Sequence, residues 1–383
     1  MTILLRTHQL VSRGIAPMVL RSQRSFMSSQ VPKFHEKDPL HEGNKYSRVP
    51  ERGFIELEGQ DTTKFLQGLI TNHMPRLSTG GDGFFAGFLT PQGRVLYDVF
   101  IYPVNHGDNF PHPKFMVECS SSLTSSLLKH LKRYVLRSKV KMRDVSEEYS
   151  VYNIWGQAIN SATTKAITDV PTGMLVKTDK RLTDIGCMDP RVPGFGYRAV
   201  LKQEEDIKRV LPAADYEELL SSEYTIRRIL HGIAEGPLDL WPEQALPLEA
   251  NFDFMNGVDF RKGCYVGQEL TIRTYHTGVV RKRVVPVQYY QEGDNVPKEM
   301  KVDRQIEHSS ALIPQLDIKP VDVSSKRGVG KTCSAVHNIG LALMRLEQVE
   351  KCNQDGSIAF AVPEAGNVRV RPFLPEWWTQ EQA

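Results

Sequence analysis

Apolar residues that alternate with charged ones mark the first ordered region of the chain. The segment RGFIELEG, which begins at Arg52, predicts a strand, and we expect structure to begin near Val49. DTTKFLQGLITNHM then has apolar residues at helical spacing behind Asp61, a suitable N-cap. GDGFFAGFLTPQGRVLYDVFIYPV predicts two strands joined by the turn Thr90-Pro91-Gln92-Gly93. KFMVECS predicts another strand, and SSLTSSLLKHLKRYVLRSKVKMRDVS predicts a basic amphipathic helix that leads into a strand.

A second group of elements begins near Tyr149. YSVYNIWG and DPRVPGFGYRAVL predict strands, and residues 215–234 predict one helix that ends before Gly236-Pro237. The polar stretch 291–327 contains proline and has no periodicity, so it predicts a long loop. GLALMRLE, SIAFAV and NVRVRPF predict short strands of a C-terminal β domain.

Residues 327–335, RGVGKTCSA, contain part of a phosphate-binding motif. Ser325 stands where that motif requires its first glycine, so we expect a turn between barrel strands instead. Across the chain, antiparallel pairs outnumber any β-α-β series. The pattern therefore predicts an α+β fold with a β-barrel-like C-terminal domain.

Composition limits the classes of protein that fit the chain. Its 383 residues imply two or three domains, and no apolar run is long enough for a membrane span. Residues 1–35 hold five of the 48 basic residues and no acid, which leaves 43 basic against 45 acidic residues. The charge balance argues against nucleic acid as a partner, and the lack of a long apolar run argues against a membrane. We also expect the chain to be a monomer in isolation. The basic run from Lys129 to Arg143 predicts a solvated helix face, with binding of an acidic partner as the alternative.

The amino-terminal segment 1–26 has the pattern of a mitochondrial presequence. It is rich in arginine, contains serine and has no acid, and Leu4, Val11 and Met18 would share one helical face. Arg24-Ser25-Phe26 predicts processing after Phe26. The alternative is a disordered tail.

Candidate chemistry centres on FRKGCYVGQEL, residues 260–270. The chain has five cysteines, no C-x-x-C and hence no local zinc or cluster motif. Gly263 and Gly267 bracket Cys264, which predicts a tight, exposed turn. Arg261 and Lys262 add positive charge, which favours the thiolate. The alternatives are a small buried hydrophobe, a nucleophile with His276 as base, or one ligand of a cluster shared with a partner.

Several segments carry a resemblance to a known family. PLEANFDFMNGVDFRKGCYVGQELTIRTYHTGVVRKR, RILHGIAEG, GFIELEGQDTTKFLQGLITN, TPQGRVLYD and DPRVPGFGYR resemble the YgfZ/aminomethyltransferase (GcvT)-like folate-binding family, roughly from Val49 to Phe373. The K-G-C-Y-x-G-Q-E element is its most specific mark. The resemblance implies three domains around a central opening and assigns Cys264 the key role. The signature residues are Lys262, Gly263, Cys264, Tyr265, Gly267, Gln268 and Glu269.

The resemblance also implies domain boundaries. We expect a discontinuous N-terminal domain at 48–150 plus 215–282, an inserted α+β domain at 151–214, and a C-terminal β-barrel-like domain at 283–383 that contains the loop 291–327. Arg273 and Asp98 are expected at an anion or folate pocket. Related transferases carry paired acids where this chain has Tyr97-Asp98, so a carboxylate is missing and transferase activity is in doubt.

Together with the presequence, the resemblance implies a factor of the mitochondrial matrix that matures 4Fe–4S proteins. It would act with A-type iron–sulfur scaffold proteins and have no classical turnover. Cys264 would share ligation of a transient 2Fe–2S cluster with the partner, and no cofactor would be held stably by the chain alone. The alternative is a tetrahydrofolate-dependent one-carbon transferase.

Overall fold

The computed structural model describes Leu40 and residues 42–78, 82–105, 113–159, 182–211, 214–321, 328–355 and 358–378. The expected presequence 1–26 lies outside these residues. Three β-sheets and their helices form the fold. None of the described helices is both long and apolar enough to cross a bilayer.

The first sheet has five antiparallel strands in the order β3-β4-β5-β2-β6. They are β2 (Arg52–Glu58), β3 (Phe84–Leu89), β4 (Val95–Pro103), β5 (Lys114–Ser120) and β6 (Lys141–Asp144). Its helices are α1 (Thr62–Gln67), α2 (Pro75–Ser78) and α3 (Thr124–Tyr134). Leu127 and Leu131 of α3 are fully buried, as its amphipathic pattern predicts. The strands and α3 confirm the prediction, but the helix predicted behind Asp61 ends at Gln67. Asp61 makes no side-chain cap, and its Oδ2 accepts from the Lys139 amide instead.

The second sheet has the strand order β10-β1-β7-β9-β8. Its strands are β1 (Asn44–Arg48), β7 (Tyr149–Trp155), β8 (Ile185–Met188), β9 (Tyr197–Lys202) and β10 (Tyr216–Leu219). β1 and β10 pair in parallel, whereas the other pairs are antiparallel. The sheet thus extends beyond the range 151–214 expected for the inserted domain. The domain boundaries themselves stay a prediction.

The third sheet closes into a barrel in the order β11-β14-β13-β12-β15-β16. Its strands are β11 (Lys282–Tyr290), β12 (Asp317–Pro320), β13 (Gly330–Val336), β14 (Ile339–Arg345), β15 (Phe360–Val362) and β16 (Val368–Pro372). Pairing of β11 with β16 closes the ring, which confirms the predicted β-barrel. The helix α6 (Leu346–Asp355) follows β14.

The predicted helix at 215–234 is wrong at both ends. Residues 216–219 form β10 because they pair with β1, about 170 residues earlier, and α4 covers only Ser221–Leu230. After Leu230 the chain turns through Gly232 at φ +70°, where its amide donates to the Ile229 carbonyl. Local spacing carried no sign of the distant partner strand.

The predicted turn at 327–335 is also wrong, because residues 330–336 are the barrel strand β13. Its Gly330 faces Met344, and an added Cβ would lie 2.3 Å from the Met344 sulfur. The glycine therefore serves close strand packing and not a phosphate. In the predicted loop 291–327, residues 317–320 form β12, and residues 322–327 lie outside the described residues.

Candidate functional site: the Cys264 loop and a buried charge network

Cys264 lies at the surface, in the loop that precedes helix α5 (Gln268–Thr277). It is the exposed one of the five cysteines, and Cys119, Cys187, Cys333 and Cys352 are all buried. Burial raises the pKa of the Cys119 thiol to about 12 and raises those of the other three buried thiols as well. Among the cysteines, only Cys264 meets solvent as a ligand or nucleophile would have to.

Lys262 anchors this loop from beneath. Its Nζ donates to the main-chain carbonyls of Gln67 (2.8 Å), the last residue of α1, and of Ile70 (2.6 Å) and Asn72 (2.9 Å), which follow it. It also lies 4.7 Å from the centre of the Tyr265 ring. An ammonium has three donors, and all three are used here. Lys262 therefore fixes the loop. The sequence pattern predicts a positive charge that favours the thiolate, but this ammonium is already bound to the three carbonyls.

Burial lowers the pKa of Lys262 to about 7, and Asp259 opposes part of that effect. The carbonyls that surround the amine are neutral dipoles. They hold the ammonium by geometry, without the full charge of a carboxylate.

Gly267 is required by both its backbone conformation and its surroundings. It has φ +80°, and an added Cβ would lie 2.2 Å from the Thr90 carbonyl oxygen in the β3–β4 turn. Gly93 of that turn is also closely packed, because an added Cβ would lie 2.9 Å from the Gly267 carbonyl oxygen. The turn and the signature loop thus pack backbone to backbone.

The other signature residues set the start of α5. Gln268 Oε1 accepts from the Tyr265 amide at 3.2 Å, and the Gln268 amide donates to the Tyr265 carbonyl at 3.4 Å. Tyr265 is buried, whereas Glu269 is exposed in the first turn of α5, where the helix dipole stabilises a negative charge. Around Gly263 there is open space on the side where a Cβ would be.

Arg273 and His276 are exposed on α5. Asp98, the other residue expected at an anion pocket, is on β4 and only 3% exposed. The structure therefore places Arg273 at the surface and Asp98 in the interior.

Asp98 belongs to a buried network of charges where the three sheets meet. Its Oδ2 lies 3.6 Å from Arg52 Nη1, and its Oδ1 accepts from the Gly236 amide at 3.2 Å. Arg52 Nε donates to Glu118 at 2.6 Å, and Glu118 also pairs with Arg198 from the second sheet.

The network continues towards helix α4 and the barrel. Arg191 Nη1 donates to Glu235 at 2.6 Å, and the Tyr224 hydroxyl donates to the same carboxylate at 2.8 Å. Arg228 binds Asp239 at 2.6 Å and, through its second nitrogen, Ser334 of the barrel at 3.0 Å.

Burial and nearby opposite charges shift the pKa values of the carboxylates in this network in opposing directions. Burial raises the pKa of Glu118, but Arg198 and Arg52 outweigh burial and bring it to about 2. Asp98 is different: burial raises its pKa, and Arg52 offsets this only in part. Of the residues in this network, the sequence pattern singled out Asp98 alone. The quoted block DPRVPGFGYR contains Asp189, Arg191 and Arg198, but its spacing alone gives no sign of a common cluster.

The surroundings of Asp98 do not fit the folate pocket expected there. A pterin would have no access to this carboxylate, because Asp98 is 3% exposed and the Arg52 and Glu118 side chains are 3% and 0% exposed. The chain's own guanidinium and carboxylate groups fill the surroundings of Asp98. We therefore assign no chemical step to a folate.

Comparison with known proteins first defines the class of fold. Residues 49–176 match the family described as the GCVT N-terminal domain, and residues 281–380 match the CAF17 C-terminal beta-barrel domain. The glycine cleavage system aminomethyltransferase T from Bartonella henselae has a similar structure, with TM-score 0.57 and 11% identity, over 88% of this chain and 86% of that chain. The fold is that of the aminomethyltransferases.

Sequence relatives define the family. Proteins named iron–sulfur cluster assembly factor IBA57 homolog, mitochondrial, are 41% identical in Aspergillus fumigatus, over 87% of this chain and 81% of the relative. The homolog in Mycosarcoma maydis is 38% identical over 88% and 86%, and that in Neurospora crassa is 36% identical over 97% and 88%. The chain belongs to the IBA57 family.

Proposed function

We propose that this chain is a mitochondrial iron–sulfur cluster assembly factor. Its Cys264 supplies one ligand to a cluster that an A-type scaffold protein carries in the matrix. The names of its relatives support assembly of iron–sulfur clusters in mitochondria and work alongside other assembly proteins. The choice of scaffold, the shared cluster and the matrix are the finer parts of the proposal.

The exposure of Cys264 carries the proposal. A cluster needs about four ligands, commonly thiolates, and this loop offers one. The other four cysteines are buried in the interior, so they cannot join Cys264 at the surface without unfolding. The remaining ligands then come from the protein that brings the cluster, which is the cargo of the reaction.

The loop suits a transient ligand because its backbone is fixed while its thiol is open. Lys262 and Gly267 secure the two sides of the loop to the residues after α1 and to the β3–β4 turn. Such a ligand adds little ordering cost when the cluster arrives, and the thiol is free again when the cluster leaves.

A folate-dependent transfer is the weaker candidate. Its support is a fold shared at 11% identity, and the surroundings of Asp98 leave a pterin no surface.

The test titrates the chain with a 2Fe–2S-loaded A-type scaffold and follows visible absorption and circular dichroism. We expect a new cluster spectrum and a stable complex with the wild type and with Cys119→Ala, the buried-cysteine control. Cys264→Ser should lack that spectrum. An unchanged spectrum with Cys264→Ser would overturn shared ligation.

A further inference from the structure

A groove of about 890 Å³ lies beside the Cys264 loop, on the face where α1 and the end of α3 meet. Its apolar lining comes from Phe65, Leu69, Tyr134, Leu136 and Val266. Val266 is itself a residue of the signature loop, two positions after Cys264, so the groove borders the loop that carries the thiol.

Leu136 is the unusual member of this lining. Its side chain is 89% exposed, and its backbone has φ +44°. A branched apolar residue is disfavoured in this left-handed region, where asparagine or glycine is accommodated more easily. In the free chain the leucine gains nothing from burial either. Both observations indicate that the side chain serves a contact outside the chain.

The segment that carries Leu136 is held firmly. The Lys139 amide donates to Asp61 Oδ2 at 2.7 Å, and the Ser138 amide donates to the Val135 carbonyl at 2.7 Å. An added Cβ on Gly59 would lie 2.0 Å from the Lys139 carbonyl oxygen, so the backbones are in close contact. Leu136 is thus presented in advance, and a partner would not have to order it.

The same backbone supports the groove and the thiol loop. Lys262 binds the carbonyls of Gln67 and Ile70, and the Val266 amide donates to the Gly68 carbonyl at 3.0 Å. Gly68 and Leu69 also line the groove. The loop that carries the thiol is therefore fixed to the same backbone that lines the groove.

The charge around the groove selects the occupant. Lys64 and Arg137 line it, and Lys129, Lys132 and Arg133 are exposed on the adjoining helix α3. The acid in the lining, Asp61, accepts from the Lys139 amide. Such a rim attracts an acidic protein face and repels a basic one.

We propose that this groove docks the acidic face of the cluster-carrying scaffold protein, with Leu136 as the apolar anchor and Arg137 and Lys64 as the steering charges. The proposal rests on the proposed function and adds the surface that brings the cluster to Cys264.

The test measures the affinity of the chain for a 2Fe–2S-loaded A-type scaffold by fluorescence anisotropy. Leu136→Asn should weaken binding at least tenfold while the Tm stays within about 2 °C of the wild type, because asparagine tolerates a left-handed backbone. The matched control is Leu220→Asn, since Leu220 is 76% exposed but extended at φ −61° and follows β10. It should bind as the wild type does.

A second arm tests the charges. Arg137→Glu should weaken binding severalfold at low salt, and this difference should shrink at high salt. Lys208→Glu, a reversal at another exposed lysine, should have little effect. Wild-type binding by both Leu136→Asn and Arg137→Glu would overturn the docking site. So would sedimentation that shows a dimer of the chain alone which Leu136→Asn dissociates.

The two proposals fail separately. Docking is measured as affinity, and shared ligation as the cluster spectrum. If Cys264→Ser leaves the spectrum unchanged but Leu136→Asn still weakens binding, the docking surface stands and shared ligation falls.

Discussion

The Cys264 loop and the buried charge network both hold cations inside the fold, but with different partners. Lys262 is surrounded by three neutral carbonyls, and burial lowers its pKa to about 7. Arg198 and Arg191 face carboxylates, which keep their pKa values above the ordinary value despite burial. Arg198, Arg191 and Glu118 are therefore held in their charged forms, while the loop rests on a cation whose proton is easily lost.

The difference separates two tasks. The network joins all three sheets through groups that pair with each other, so its role is to fix their mutual positions. The loop instead leaves a thiol at the surface, and its Lys262 ammonium binds main-chain carbonyls of the α1 region. Variants in the two regions should therefore differ in both size and pH dependence.

The largest expected effect is in the network. Arg198→Met leaves Glu118 buried with one fewer guanidinium, and should lower the free energy of unfolding by about 3–5 kcal/mol. Urea denaturation measures the loss. Arg209→Met, at an exposed arginine, is the control and should change it by less than about 0.5 kcal/mol. A loss that small for Arg198→Met would mean the network does not hold the sheets.

Acid should weaken the network next. The folded-state pKa of Glu118 is about 2, below its ordinary value of 4.5. Its contribution is therefore complete above pH 4.5 and is lost as the pH falls towards 2. Unfolding free energies measured across that window should fall less steeply for Glu118→Gln than for the wild type. Parallel curves would exclude Glu118 as a source of acid sensitivity.

A substitution in the Cys264 loop should lower stability less than one in the network. Its effect on stability should change with pH above pH 7, and not in acid. Lys262→Met leaves three carbonyls without their donor and should cost about 2 kcal/mol of stability. The folded-state pKa of about 7 lies below the ordinary 10.5, so the unfolded chain retains a proton that the folded chain releases. This group makes stability rise with pH between those values.

The wild-type advantage over Lys262→Met should consequently widen from pH 7 to pH 9 in urea titrations. Lys262→Arg provides the charge-retaining comparison, since its guanidinium stays protonated and its stability should lack the slope. A gap that narrows with pH would contradict the assigned role.

The smallest effect is expected at Asp98. Asp98→Asn removes a carboxylate whose Oδ2 lies 3.6 Å from Arg52 Nη1, while Arg52 keeps Glu118 as a partner. The unfolding free energy should change by about 1 kcal/mol or less, and cluster assembly in cells should be retained. Loss of cellular function in a stably folded Asp98→Asn protein would revive the folate-dependent alternative.

Local patterns predicted most of the strands, because their apolar residues mark them directly and because β3 pairs with β4 and β4 with β5, in each case the next strand in sequence. They missed β10 and also its distant partner β1, which lies before Val49, where structure was expected to begin. In the site, glycines on both sides of Cys264 predicted its exposure correctly. The role of Lys262 was beyond such analysis, since the carbonyls it binds belong to every residue type and leave no mark in the sequence.

The pairing of β1 with β10 also sets an order of events during biosynthesis. Tyr46 donates to Glu218 at 2.9 Å and Ser47 donates to the Leu220 carbonyl at 2.9 Å, contacts that span 172 and 173 positions. At roughly 5–20 residues per second, a ribosome needs roughly 10–30 s to deliver the second partner. One edge of β1 can pair with β7 earlier, but the edge that faces β10 is open until residue 216 is made, and until then it is available to chaperones and to misassembly.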